Sequence, residues 1–157
     1  MAGEIHRITK ETLDKLRDEY HHLTTVGRTE IARVIEAARS LGDLSENGDY
    51  HAAKDEQGKM ESRIRHIDEV IRHHELVERD ENAAIVQYAS IVELVYLDEP
   101  DERQEFFVGS IEERPGGVLV ASPTSPLGSA LLNHAVGDEL DYEAPSGTLR
   151  VRITGIR

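Results

Sequence analysis

The sequence predicts an α+β fold: a long antiparallel helical hairpin over residues 1–79, followed by a smaller strand-rich domain over residues 80–157. Two stretches before residue 80 repeat apolar residues at alternating steps of three and four, and a Gly-rich acidic interruption at 42–49 separates them. After residue 82 the helical period gives way to β-branched runs divided by Pro and Gly turns.

Thr9 precedes the first helical stretch as an N-cap, its hydroxyl placed to accept from a first-turn amide. Leu13, Leu16, Tyr20 and Leu23 mark one apolar stripe, and Ile31, Val34, Ala38 and Leu41 resume it beyond Gly27. Glycine inside a helix costs about 1 kcal/mol relative to alanine, so Gly27 reads as a bend or phase shift, or else as a division into two helices. The second stretch is more regular: Tyr50, Ala53, Gln57, Met60, Ile64, Ile67, Ile71 and His74 share one heptad seam, with Gln57 and His74 as polar exceptions. Such a seam needs a partner, and the upstream helix is nearest. Helices of about 30 residues are on the order of 45 Å long, so pairing them side by side makes the 42–49 connection a distant tip. An intermolecular coiled coil is the competing arrangement and accounts for the interruption less simply.

Ser90 to Leu97, Phe106 to Val108, Val118 to Val120, Glu139 to Glu143 and Thr148 to Thr154 are the strand candidates. Turn signals at 98–100, 115–117 and 145–147 divide them. In the last strand Leu149, Val151 and Ile153 face one side, and Thr148, Arg150, Arg152 and Thr154 the other, as in a sheet with one buried face. A short helix over Leu127 to Asn133 crosses that sheet.

The formal charge of -13, from 31 acidic and 18 basic residues, opposes long-range attraction to duplex nucleic acid, so no sequence-specific DNA recognition is expected. Any basic patch belongs to residues 1–80, which hold 13 of the basic side chains. No apolar run approaches the roughly 20 residues of a membrane span. The N-terminus lacks the apolar core of a secretory signal, and there is no cysteine. A cytoplasmic protein without membrane contact is expected. Histidines gather before residue 80, but His21-His22 and His73-His74 are neighbours whose side chains diverge by about 100° on a helix, so no histidine metal site is expected.

The chemical question sits at the tip. Asp43, Glu46 and Asp49 place three carboxylates within seven residues, with no cation until Lys54. Carboxylate oxygens suit a divalent cation, and a three-residue step lets Asp43 and Glu46 share one if the segment curves as a helix does. Three carboxylates on a turn do not complete a magnesium shell, so a metal here needs ligands from a second macromolecule; the alternative is a solvated acidic tip. Asn47 is placed to cap the following helix or to bond within the turn.

The string Asp43-Leu44-Ser45-Glu46-Asn47, followed by Tyr50-His51-Ala52-Ala53, Lys54 and Asp55-Glu56, resembles the signature of the Gre family of bacterial transcript-cleavage factors. The resemblance continues through Ser125-Pro126-Leu127-Gly128 and Val136-Gly137-Asp138, so it covers nearly the whole chain. It implies a hairpin that enters the secondary channel of a bacterial RNA polymerase in a backtracked elongation complex and stimulates hydrolysis near the 3′ end of nascent RNA. Asp43 and Glu46 match the two functional acids, which would hold a Mg2+ jointly with the polymerase and orient the attacking water. The protein is then an accessory factor and no enzyme by itself, with no stable cofactor of its own, and a monomer is expected. The resemblance makes Ser45, Asn47, Tyr50 and His51 tip-positioning residues, and Arg28, Arg33, Arg39 and Lys54 candidates for contact with RNA or polymerase. It also implies an FK506-binding-protein-like antiparallel β domain with a short helix, serving as a docking platform. Thr29, Gly48 and Gly128 depart from residues frequent in relatives. A channel-binding regulator that does not promote cleavage and a coiled-coil adaptor are the competing functions.

Overall fold

The computed structural model describes residues 4–42, 46–113 and 116–157. The chain divides into two compact units, one built on Leu13–His73 and one that joins Ile5–Thr12 to His74–Arg157.

In the first unit, α1 (Lys10–His22) passes through a π-helical turn at Leu23–Gly27 into α2 (Arg28–Arg39), and α3 (Gly48–Arg72) returns along it. Thr9 caps α1, its Oγ1 accepting from the Thr12 amide at 3.3 Å. Gly27 marks a phase shift and no break, because His22, Gly27 and Arg28 all keep right-handed helical angles. The π turn carries one extra residue, and its effect is visible in what lies inside. The expected stripe through Val34 and Leu41 is turned outward, these side chains being 52% and 72% exposed. Ile31 and Ala38 of that stripe do line the inner face, Ala38 buried, and Ile35 joins them in place of Val34. Three threonines hydrogen-bond back to the carbonyls of this region: Thr24 Oγ1 to Tyr20 at 2.7 Å, Thr25 Oγ1 to His21 at 2.6 Å and Thr29 Oγ1 to Thr25 at 3.0 Å. A Cβ on Gly27 would lie 3.1 Å from Met60 Sδ, so the glycine allows close approach of the two helices.

The α3 seam follows the sequence from Tyr50 to Ile71, with Ala53, Ile64 and Ile67 buried. It does not reach His74. Helix α3 ends at Arg72, His73 leaves helical angles, and His74 opens strand β2 (His74–Leu76), which pairs in parallel with β1 (His6–Ile8). Backbone pairing thus wins over one more heptad position. The ladder extends through the Val77 amide, which donates to the Ile8 carbonyl at 2.9 Å. Residues 5–12 and 74–79, grouped with the hairpin on sequence, therefore belong with the strand-rich unit. Glu113 reinforces this: its carboxylate accepts from the Thr9 amide at 2.7 Å and from the Thr9 and Thr12 hydroxyls at 3.0 and 2.8 Å.

The second unit is a five-stranded sheet of β3 (Ser90–Tyr96), β4 (Glu99–Val108), β5 (Leu119–Ala121), β6 (Glu139–Ala144) and β7 (Gly147–Ile156), in the order β5-β4-β3-β7-β6. The expected antiparallel sheet is mixed, because β5 pairs in parallel with β4. The chain returns to the same end of the sheet over 109–118, a connection that includes a 3-10 turn at Ile111–Glu113. Strand β4 also absorbs the charged Glu99–Glu105 stretch that the sequence marks in part as a turn. Pro100 falls where the β3/β4 register shifts between Val95 and Tyr96, and β5 pairs only with 106–108, so its missing amide costs no ladder bond on that side. On β7, Val151 and Ile153 are buried while Arg150 and Arg152 face outward, as their alternation predicts.

Helix α4 (Pro126–Leu131) lays Leu127 and Leu131 on the core formed by Val92, Leu94, Phe106, Val108, Leu140, Val151 and Ile153. Ser125 caps it, accepting from the Gly128 amide at 3.1 Å, with Pro126 at its first turn. A Cβ on Gly128 would fall 1.9 Å from the Ser122 carbonyl oxygen. Gly128→Ala is therefore expected to destabilise the protein by about 1–3 kcal/mol, read as a lower denaturant midpoint at unchanged slope.

Candidate functional site

The tip begins where α2 ends. Ser40 and Leu41 close the last turn, and Gly42 takes φ +128, a left-handed angle that only glycine adopts without strain. Asp43 and Ser45, two of the residues that the sequence assigns to the site, lie outside the described residues, as does Leu44.

Asn47 organises the part that follows. Its Oδ1 accepts from the Tyr50 amide at 3.0 Å, which caps α3, and its Nδ2 donates to the Ala38 carbonyl at 2.5 Å. One side chain thus satisfies an orphan amide at the start of α3 and a carbonyl near the end of α2. Of the two alternatives on sequence the cap is made, and the second bond reaches past the turn to α2. The geometry ties the two helix ends together directly beside Glu46.

Glu46 is exposed at the bend before this cap, and Asp49 is exposed in the first turn of α3. Neither carboxylate pairs with a cation among the described residues. The positive end of α3 favours an acid at Asp49. Leu41, Glu46, Asn47, Gly48 and Asp49 line an open concavity of about 410 Å³. Among the described residues no three His, Asp or Glu side chains are grouped to hold a metal ion. Gly48 has open space where a side chain would begin, so its departure from alanine removes no contact.

Tyr50 is half-buried, with its ring edge-on to that of His51 at 5.6 Å and 66°. His51 lies at the exposed side of the first turn. The candidate cations divide into two groups. Arg28 is engaged within the hairpin, donating from Nε and a terminal nitrogen to both Glu61 oxygens at 2.9 and 3.1 Å. Lys54 donates to Gln57 at 2.8 Å from an exposed position. Arg33 and Arg39 are exposed along α2, Arg39 in its last turn. Arg63 forks onto Glu19 at 2.7 and 2.9 Å. Glu61 and Glu19 were not singled out in the sequence, since an acid opposite an arginine on a second helix leaves no local signal. On the second unit Arg150 and Arg152 make cross-strand ion pairs with Asp141 and Glu139 at 3.3 and 2.7 Å.

The Arg28 hydrogen bonds hold the Glu61 carboxyl below its ordinary value, and the same bonds raise the arginine. A carboxyl depressed in the folded state contributes stability above its unfolded pKa and loses it as pH falls through the folded value. Arg28→Gln is thus expected to lower stability at neutral pH and to converge with the parent chain at acid pH, measured by urea denaturation across pH 2–7. Asn47→Ala should cost about 0.5–2 kcal/mol and speed amide exchange in the first turn of α3. Asn47→Asp, which retains the cap but loses the donor to Ala38, should restore only the α3 protection.

Among the described residues no helix is long and apolar enough to cross a membrane. The family described as transcription elongation factor, N-terminal, matches residues 6–76, and the one described as transcription elongation factor, GreA/GreB, C-terminal, matches residues 81–157. Transcription elongation factor GreA of Thermomicrobium roseum is 41% identical over 159 residues, covering 100% of both chains. That of Streptomyces coelicolor is 40% identical over 140 residues, covering 89% of this chain and 85% of the relative. Among solved structures, Thermus aquaticus Gfh1 aligns over 99% of each chain at 25% identity with a TM-score of 0.42. Matched along both of its units and carrying the acidic tip motif between its helices, the chain belongs to the GreA/GreB family of transcription elongation factors, which bind RNA polymerase and stimulate transcript cleavage.

Proposed function

We propose that this chain acts on a backtracked elongation complex, where its acidic tip joins the polymerase's own metal site and accelerates hydrolysis of the nascent RNA near its 3′ end. The observation that carries the reading is the tip itself: Glu46 is exposed and unpaired with any cation among the described residues, next to an asparagine that fixes both helix ends. Carboxylate oxygens are the donors a hard divalent cation takes, so Glu46 and Asp43 fit partial coordination of Mg2+. When bound, the Mg2+ would activate water and offset charge on the leaving oxygen.

The chain's own residues supply position. Asp43 and Glu46 contribute oxygens, and the partner completes the coordination shell. Asn47 ties the start of α3 to the end of α2, so the base of the tip needs little ordering at the moment of reaction. Tyr50 packs at the base of the tip, and His51 faces outward beside it. Arg33, Arg39 and Lys54 are exposed cations for the phosphates of RNA or an acidic wall of the partner, whereas Arg28 is spent on Glu61. The chain works as an accessory factor, and the hydrolytic activity belongs to the polymerase.

The test is cleavage of 3′-labelled RNA in a stalled, backtracked bacterial complex with Mg2+, alongside a direct measure of binding. The intact chain should accelerate release of short 3′ fragments, and Asp43→Ala and Glu46→Ala should each lose about tenfold or more in rate while still binding. Binding without acceleration by the intact chain would overturn the cleavage role in favour of a non-cleaving channel regulator.

A further inference from the structure

Helix α2 carries two apolar stripes one residue apart, and the π turn decides which of them meets α3. From Leu16 to Ile31 and from Tyr20 to Ile35 the inner positions are separated by 15 residues, two heptads plus one. The extra residue is housed in Leu23–Gly27. Counted without it, the heptad runs from Tyr20 through Gly27 to Val34 and Leu41, with Ala37 between. That frame is apolar except for Glu30, yet Val34, Ala37 and Leu41 now face outward.

We propose that the π turn is a movable register device: when its extra residue migrates along α2 toward the tip, α2 repacks on α3 with Val34, Ala37 and Leu41 in the seam in place of Ile31, Ile35 and Ala38. The repacking turns α2 by about 100° about its axis and advances it by about 1.5 Å toward the tip. The local chemistry suits a turn that moves. Its carbonyls have threonine hydroxyls as substitute partners, at Thr24, Thr25 and Thr29, so hydrogen bonds are exchanged during migration and not simply lost. Gly27 gives the helices room to pass, with Met60 as the adaptable side chain opposite. The advanced frame breaks the Arg28–Glu61 pair and the bond from Asn47 to the Ala38 carbonyl, so the same step releases the clasp at the tip. Glu30 in the seam is its cost. The inference rests on helix phase and stands whether or not the tip promotes cleavage.

The cysteine-free chain gives a direct test. Ala38→Cys on α2 and Ala53→Cys on α3 each place one thiol at a site now only 4% exposed, and their reaction with a maleimide is followed separately under native conditions. Repacking exposes position 38 and leaves 53 covered, whereas opening of the hairpin exposes both. Adding Val34→Glu and Leu41→Glu, which stay in water in the present register but would bury charge in the advanced one, should slow labelling at 38 by about tenfold or more. Glu30→Leu should speed labelling at 38 by about tenfold. Labelling at 53 should change in neither background. Rates at 38 that ignore these substitutions, or that change in parallel with those at 53, would overturn the proposal.

Discussion

A 25-residue helix that holds one apolar stripe in heptad phase from Tyr50 to Ile71 leaves its partner little choice. The opposing face must present an apolar residue every three or four positions over the same length, or the seam opens to water. Helices α1 and α2 meet that demand with one residue too many, and a π turn takes up the excess. The alternative, a helix that keeps ideal hydrogen bonding, exchanges Ile31, Ile35 and Ala38 for Val34, Ala37 and Leu41 and brings the charged Glu30 into the seam. Packing outweighs local hydrogen-bond geometry here, and the threonines beside the turn reduce what that choice costs.

Most of the hairpin was legible because burial and period are the same signal seen in space and in sequence. The seam of α3, the Thr9 cap and the acidic tip between the helices were all readable, as was the alternation along β7. Val34 and Leu41 were assigned inward because a heptad count has no means of registering an inserted residue when both frames are apolar. His74 was assigned to the helix because it falls on the next seam position, although its backbone joins a parallel ladder with His6. Three-residue strands paired across nearly seventy positions leave no periodicity to detect. The parallel β4/β5 pair is missed for a similar reason: strand candidates come from composition, but their direction comes from the connection.

At the site, the residue types were legible and their allegiances were not. Acids at the tip announce themselves by the absence of nearby cations. Arginines do not announce their partners: Arg28, a candidate contact for RNA or polymerase, is committed to Glu61 within the hairpin, as Arg63 is to Glu19. Asn47 was expected to cap or to brace the turn. It caps α3 and bonds back to α2, which makes the spacing between the helix ends a property of one amide group, so the tip inherits any change in the phase of α2.

The parallel pairing of β1 with β2 makes the hairpin an insertion: residues 5–12 belong to the strand-rich unit, the chain leaves it for some sixty residues and then returns. During synthesis the hairpin emerges complete while most of the unit that holds its first strand is still unmade. Residues 5–12 then have no Glu113 to accept from Thr9, and wait. Closing a disordered loop of that length is an entropic cost that grows only with the logarithm of its size. An antiparallel hairpin that has already formed brings the ends of α1 and α3 together and removes much of that cost in advance. Assembly order is thereby written into the topology: local helix pairing first, with the longest-range strand contact arriving as its by-product.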